Sequence, residues 1–329
     1  MPSPFFQISA GGKDITSKLA GGQISLTIKD GVGLDADTAQ IEIDDMHGVI
    51  APPKTGVELK IIAGYVDDRV NFGTFTVDEV TLSGWPQKIS ISAQSAKAKS
   101  ALKEGRPKSY DKEDYPTFKD VFAEIAGRHG LTLSISPEIG SQELEYEAQA
   151  EEDDISFLTR IGKKLDASIS IKEDRLIAAK KGTGTSVSGQ PLPFIVVRRG
   201  HNLLTYSVSR KDKPKHKKVK ATWYNRKKAK REEVTANASA DGPDFLIRAP
   251  AQSKAEAQKQ ANSKANELKR AEAKASFSVE GNPHARAEAH VIASNIRSMV
   301  DGVWRSVTVT HNWTSGGPYT TSIECELPK

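Results

Sequence analysis

The spacing of hydrophobic residues changes twice along the chain. In the first ninety-odd positions it is two: Ile24, Leu26 and Ile28 alternate with polar neighbours, and Ala39, Ile41 and Ile43 do the same. That period belongs to strands with one buried face. It predicts strands at Phe5–Ser9, Ile24–Ile28, Thr38–Asp44, Val57–Ile62, Asn71–Leu82 and Lys88–Gln94. Gly11-Gly12, Gly21-Gly22, Gly31–Gly33, Pro52-Pro53 and Gly84-Trp85-Pro86 supply turn chemistry between them. Six short strands so punctuated predict a small barrel or sandwich.

The spacing then becomes helical. Phe118, Val121, Phe122, Ile125 and Ala126 share one helical face, Gly130 stops the helix, and Leu131, Leu133 and Ile135 alternate after it. A second copy follows. Ile155, Leu158, Ile161, Gly162 and Leu165 repeat the face, and Ala167, Ile169 and Ile171 repeat the alternation. The tandem predicts an α/β module of two helix–strand units, entered through a charged linker over 97–115 and joined internally by the acidic stretch 141–153.

Alternation returns at Phe194–Val197, at Leu203–Ser209 and from Phe277 to Leu327. One helix, expected over 254–275, interrupts this second β region, and Ser253 with Glu256 forms a capping box at its start. Ala257, Ala261, Ala265, Leu268, Ala271 and Ala275 fall at helical spacing. Such a seam buries little area but lets the backbone approach a sheet or a neighbouring subunit closely. A high-propensity surface helix lying on its own domain is the plainer reading. The expected class is therefore mainly β with α+β: two small β-barrel, tube-like domains flanking an α/β module. The boundaries are 1–96, 97–181 and 182–329.

With 329 residues the chain has room for two or three domains. Charged residues make up 27% and mean hydropathy is −0.48, and no apolar run approaches the ~18 residues that span a bilayer, so no membrane insertion is expected. Met1-Pro2-Ser3-Pro4 lacks the features of a secretory leader, which fits synthesis in the cytoplasm. Cys325 is the single cysteine, which excludes an intrachain disulfide and a cysteine metal cluster.

Charge is unevenly placed. Residues 210–231 hold twelve Lys or Arg and one acid, Asp212, a local charge of +11 that leaves −6 for the rest out of a total of +5. Lys215, Lys217, Lys218, Lys227, Lys228 and Lys230 are the candidate electrostatic interface, on an expected hairpin of the second β domain. Trp223 and Tyr224 lie inside the run, so nucleic acid is one possible partner. An acidic protein surface, a channel lining or a solvated loop fits the same pattern.

Motifs for chemistry are sparse. The seven histidines include no zinc-helix spacing, and neither a Gly-x-Ser-x-Gly elbow nor a Walker loop occurs. Residues 182–189 (GTGTSVSG) have the composition of a phosphate loop, but the Lys-Ser/Thr ending is missing and Pro191 and Pro193 stand where a helix would begin. Asp44-Asp45 ends a strand. Asp153 or Asp154 is expected to cap a helix, and Cys325 reads as a small core residue. No catalytic residue, cofactor or metal is assigned, and a cell-wall hydrolase has no positive support.

The C-terminal third carries a more specific pattern. Gly281-Asn282-Pro283, then residues 302–311 (GVWRSVTVTH), then residues 317–324 (GPYTTSIE) resemble the closing signature of the phage tail protein D family, also called late control protein D. Residues 25–30, 35–45, 53–56 and 72–78 are similar to the family's first domain, and Gln149, 156–161 and Arg175-Leu176 to its middle module. Ala287–Val291 and the heavy basic run depart from the pattern. The resemblance implies a structural baseplate hub of a contractile injection machine, a phage tail or a phage-tail-like bacteriocin. It implies a homotrimer that adapts a sixfold tail tube to a threefold central spike and is assembled into the tail particle. The implied partners are the tail tube protein, the spike protein and other baseplate proteins, with the tape-measure protein a further candidate. Specific nucleic-acid binding is not expected of such a hub. A nucleic-acid-binding regulator acting through 210–231 is the alternative.

Overall fold

A computed structural model describes residues 2–19, 23–34, 37–95, 107–172, 174–210, 216–239 and 241–328. The expected turn at Gly21-Gly22, the motif residues Asp35 and Ala36, the first part of the 97–115 linker, Asp212 and the candidate Lys215 lie outside the described residues.

The chain opens with β1 (Pro4–Ala10), β2 (Lys13–Asp14), α1 (Thr16–Leu19), β3 (Ile24–Gly31), β4 (Thr38–Asp44), β5 (Glu58–Tyr65), β6 (Asp68–Ser83) and β7 (Lys88–Ser95). Each of the six strands predicted here is present. The middle contains β8 (Lys108–Asp111), α2 (Phe118–Arg128), β9 (Thr132–Ile135), α3 (Pro137–Gly140), β10 (Tyr146–Gln149), α4 (Asp154–Leu165), β11 (Ala167–Lys172) and β12 (Arg175–Lys180). It continues with β13 (Ile195–Arg198), β14 (Leu203–Arg210), β15 (Lys218–Asn225), β16 (Lys230–Asn237), β17 (Phe245–Leu246) and α5 (Lys254–Arg270). Last come β18 (Ala273–Glu280), β19 (His290–Ser294), β20 (Gly302–Thr314) and β21 (Tyr319–Glu326).

The first and last β regions form one 13-stranded sheet. They are joined where β20 pairs antiparallel with β3, from Thr308 opposite Gly31 to Thr314 opposite Ser25. The two halves repeat one strand order. In the first it is β3-β4-β7-β6-β5-β1, and in the second β14-β18-β21-β20-β19-β13. With the two-residue edge strand β2 and the separate β15–β17 sheet set aside, and strands numbered by position within each half, both read second, third, sixth, fifth, fourth, first. The β6–β7 and β20–β21 ladders each carry one register shift, at Val77/Glu79 and at Ser306/Thr308. One pairing differs: β1 runs antiparallel to β5, whereas β13 runs parallel to β19. No ladder among the described residues closes either half into a ring.

Alternation explains both cores. Ile24, Leu26, Ile28, Ile41, Phe75 and Ile91 fill the first, and Trp313 and Tyr319 reach into it from the second half. Phe277, Val291, Trp304, Val309 and Ile323 lie in the second. Cys325 belongs to that core, where burial pushes its thiol pKa far up.

The middle module has its own core of Phe118, Phe122, Ile125, Phe157, Leu158, Ile161, Ile169 and Leu176. Its sheet runs β11-β12-β9, with β12 parallel to β9 and antiparallel to β11. Gly130 at φ +65° follows the first helix, and Asp166 at φ +52° ends the second in the left-handed conformation. Asp153 is the N-cap, its carboxylate accepting from the Ser156 N–H at 2.6 Å. On α4 the buried aromatic is Phe157, while Ile155 is only half-buried against the core.

The second helix region departs from expectation. α5 ends at Arg270, with Ala271 as its C-cap, because β18 begins at Ala273 and is held between β14 and β21. Ladder pairing outweighs the helix propensity of the alanines. Ala271 is therefore exposed and Ala275 lies in a strand, so neither belongs to the helical seam. Ala257, Ala261 and Ala265 remain buried, with Leu268 at the edge, against Val219, Ala221, Val234 and Ala236. The seam closes on the chain's own three-stranded sheet β16-β15-β17. No described helix is long and apolar enough to cross a membrane.

Candidate functional site

From Lys218 onward the basic run forms a hairpin, as its alternation predicts, but in that separate sheet rather than in the large one. β15 and β16 pair from Lys218 opposite Asn237 to Asn225 opposite Lys230. Lys217, Lys227, Lys228 and Lys230 are exposed and Lys218 is half-exposed. Lys228 pairs with Glu232 at 3.0 Å. Lys220, inside the run, is held by Asp244 at 2.9 Å and Glu233 at 3.7 Å. The structure thus gathers Lys227, Lys228 and Lys230 at the turn and places Lys217 and Lys218 at the opposite end of the ladder.

Two exposed apolar surfaces had no clear signature in the sequence. At one end of the first half, the loop after β4 and the β6–β7 turn are tied by the Asp45 N–H to Gln87 carbonyl bond of 3.0 Å. Met46, Val49, Leu82 and Trp85 stand out there, Trp85 at 84% exposure. In the second half, Val196 faces Ile292 and Ile292 faces Val303 across two ladders, a contiguous row of exposed side chains. Alternation marks the buried face of a strand, but not whether the opposite face meets water or a partner.

Polar joints fix the modules behind these surfaces. Lys172, at the end of β11, places its ammonium 2.5 Å from Asp30 and 2.6 Å from Asp37. Asp30 also accepts the Ala287 N–H at 2.9 Å. Burial opposes the Asp30 charge, yet Lys172, the Ala287 N–H and Arg286 hold its carboxyl below the usual range. Burial and the Asp30 charge push the neighbouring Asp37 up to about 6, despite Lys172. The two acids share one cation and one low-dielectric site, so they titrate as a pair.

On the other side of the module, Asp166 accepts Arg270 at 2.5 Å and Asn266 at 2.8 Å. Arg270 reaches Glu326 at 3.5 Å, and Glu326 with Glu288 grips Arg305. Inside the middle module, the buried Asp154 takes Arg128 at 3.1 Å, His129 at 2.5 Å and Gln149 at 2.7 Å. Its carboxylate is occupied by structural donors.

Where the halves meet, His311 is fully buried, with Nδ1 2.8 Å from the Tyr319 hydroxyl and Nε2 3.3 Å from the Ala285 carbonyl. Burial, reinforced by the Arg286 charge, lowers its pKa to about 3. His311 is a neutral packing group beside Trp313, at 5.6 Å between ring centroids. Among the described residues no group of three His, Cys, Asp or Glu is placed to hold a metal ion.

No family model matches the chain. It is 29% identical to the probable baseplate hub protein of Escherichia phage 186, over 99% of this chain and 93% of that protein. The chain is a homologue of phage baseplate hub proteins. The probable baseplate hub protein of Escherichia phage P2 is 30% identical over 60% of this chain and 50% of that protein. The fold is that of the tail protein of prophage MuSo2 from Shewanella oneidensis, with a TM-score of 0.73 at 13% identity over 99% of each chain. The resemblance to phage tail protein D, drawn from motifs in register along nearly the whole chain, agrees with these relatives.

Proposed function

We propose that this protein is a structural baseplate hub that, as a trimer, adapts a sixfold tail tube to a threefold central spike. The observation that carries the proposal is the repeated strand order of the two halves, in a chain homologous from end to end to a baseplate hub protein. A sixfold and a threefold assembly share no common interface, and a chain containing two like units resolves the mismatch with three copies. On this reading, 1–96 and 182–329 are the two tube-like domains and 97–181 the module between them. Its partners are the tube, the spike and neighbouring baseplate proteins, within the tail particle.

A cyclic trimer joins two different faces of each copy. The Met46/Val49/Leu82/Trp85 end and the Val196/Ile292/Val303 row supply two unlike apolar faces. The buried Asp154, Cys325 and His311 are committed to packing and internal bonds, which favours a scaffold over a catalyst. Electron microscopy of purified particles with the protein localised by antibody tests the role, and three copies per hub are expected. Six chains per ring, or absence from the baseplate, would overturn it.

A further inference from the structure

We propose that the turn end of the β15–β16 hairpin binds the phosphate backbone of a nucleic acid without regard to sequence. The proposal goes beyond the hub role and stands or falls separately from it.

Arg226, Lys227, Lys228, Lys230 and Arg231 crowd into six consecutive positions. All five are exposed. Lys228 alone has a carboxylate within ion-pair distance, Glu232 at 3.0 Å, and Lys230 acts on the same carboxylate, so the turn end keeps an excess of positive charge. The turn is held in place from within. The Asn225 side-chain oxygen accepts the Lys227 N–H at 3.1 Å and the Lys228 N–H at 3.3 Å. Ala229 closes the turn at φ +46°. Ordering these cations therefore costs less on binding than it would on a free loop.

One aromatic ring lies beside them. Tyr224 is 50% exposed and sits directly across the ladder from Arg231. Val219 and Ala221 pack toward the Lys254–Arg270 helix. The period of two therefore turns Tyr224 and Arg231 to the opposite, solvent face.

This composition selects between two kinds of anionic partner. A contact with an acidic protein is built around a desolvated apolar centre from which lysine is depleted. The turn end has no such centre, since its one exposed aliphatic side chain is Ala229. A phosphate chain asks for the reverse: dispersed, hydrated cations in excess over local acids, and a ring face for a base to stack on. The hairpin matches the second description.

Fluorescence anisotropy of the full-length protein with labelled oligothymidylate and with a labelled duplex tests the assignment. Neutralising about four phosphates predicts a ~50- to 150-fold loss of affinity between about 50 and 200 mM salt. The variant R226Q/K227Q/K230Q/R231Q should bind about tenfold more weakly or worse at the lower salt. Its circular dichroism and thermal midpoint should be unchanged, because exposed charges contribute little to stability. A Tyr224→Ala loss confined to oligothymidylate assigns a single-stranded ligand, and equal binding of both variants' parent to duplex with no Tyr224 effect assigns a double-stranded one. No binding at the lower salt, wild-type affinity in the fourfold variant, or tighter binding of polyglutamate than of either oligonucleotide at equal charge overturns the proposal.

Discussion

Arg270 and Asp166 lie 104 positions apart, yet the guanidinium sits 2.5 Å from the carboxylate with both side chains buried. The pair joins the end of α4 to the end of α5, and Glu326 extends it to the last strand. Buried ions are costly singly, because each loses its hydration and only the partner offsets the loss. Arg270→Leu should therefore destabilise the protein by about 3–5 kcal/mol. Combining it with Asp166→Asn should cost less than the two single losses added. Urea unfolding of the four proteins measures this, and simple additivity would show that the joint carries no coupling.

A second expectation concerns pH. The His311 pKa is about 3 in the folded protein, against the ordinary ~6.5 expected of the unfolded chain. Between those values the unfolded chain binds a proton that the folded one refuses, so stability rises with pH across the window and is complete above about 6.5. Asp37 acts oppositely. Its folded pKa is about 6, above the ordinary ~3.9, so its contribution falls as pH rises between those two values. Comparing His311→Gln with wild type at each pH isolates the histidine. Their stability difference should change by up to about 1.4 kcal/mol per pH unit inside the His311 window. A flat difference would mean that His311 titrates normally.

Removing the shared cation should produce an acid-rescued variant. Lys172→Met leaves Asp30 and Asp37 together without an ammonium, so both carboxyls hold protons to higher pH. The Lys172 side chain keeps 32% exposure, so the expected loss is about 2–3 kcal/mol at neutral pH, below that of a fully buried pair. Thermal midpoints should approach wild type as the pH falls to about 5. A deficit equal at both pH values would assign the loss to packing alone.

The alanine seam should tolerate no bulk. Ala261 is fully buried beneath the three-stranded sheet, so Ala261→Leu should cost about 1–3 kcal/mol by overpacking. The same change at Ala271, exposed past the helix end, should stay within about 0.5 kcal/mol. Chemical denaturation of both variants checks the contrast.

Assembly and folding should separate at the exposed apolar tip. Replacing Leu82 and Trp85 with Gln should shift the thermal midpoint little, because both are already in water. Incorporation into tail particles, read by immunoblot of purified particles, should fall. Normal incorporation would remove this tip from the proposed trimer contact.

Much of the fold was legible because alternation is local. Ile24, Leu26 and Ile28 announce their strand without reference to any other part of the chain. The end of α5 was not, because Ala271 and Ala275 suit a helix and only the neighbouring strands β14 and β21 draw β18 into the sheet. Nor were the polar joints, since Lys172 reads as an ordinary strand-end lysine until Asp30, 142 positions away, is beside it. The basic hairpin was visible as charge. Which cations find acids depended on Asp244 and Glu233 reaching Lys220, while at the turn end Glu232 alone comes within ion-pair distance, of Lys228.

Both halves follow the same strand path, but they are dressed differently. Between β3 and β4 the chain spends only residues 32–37, whereas between the corresponding β14 and β18 it spends 211–272, the whole hairpin-and-helix module. Any ring closed from copies of this chain therefore alternates plain and ornamented repeats. Its inner framework would approach a symmetry twice as high as the number of chains, while its decoration keeps the lower one. In such a ring, contacts made through the framework would meet a near-uniform rim, and contacts made through the basic modules would meet every second position only.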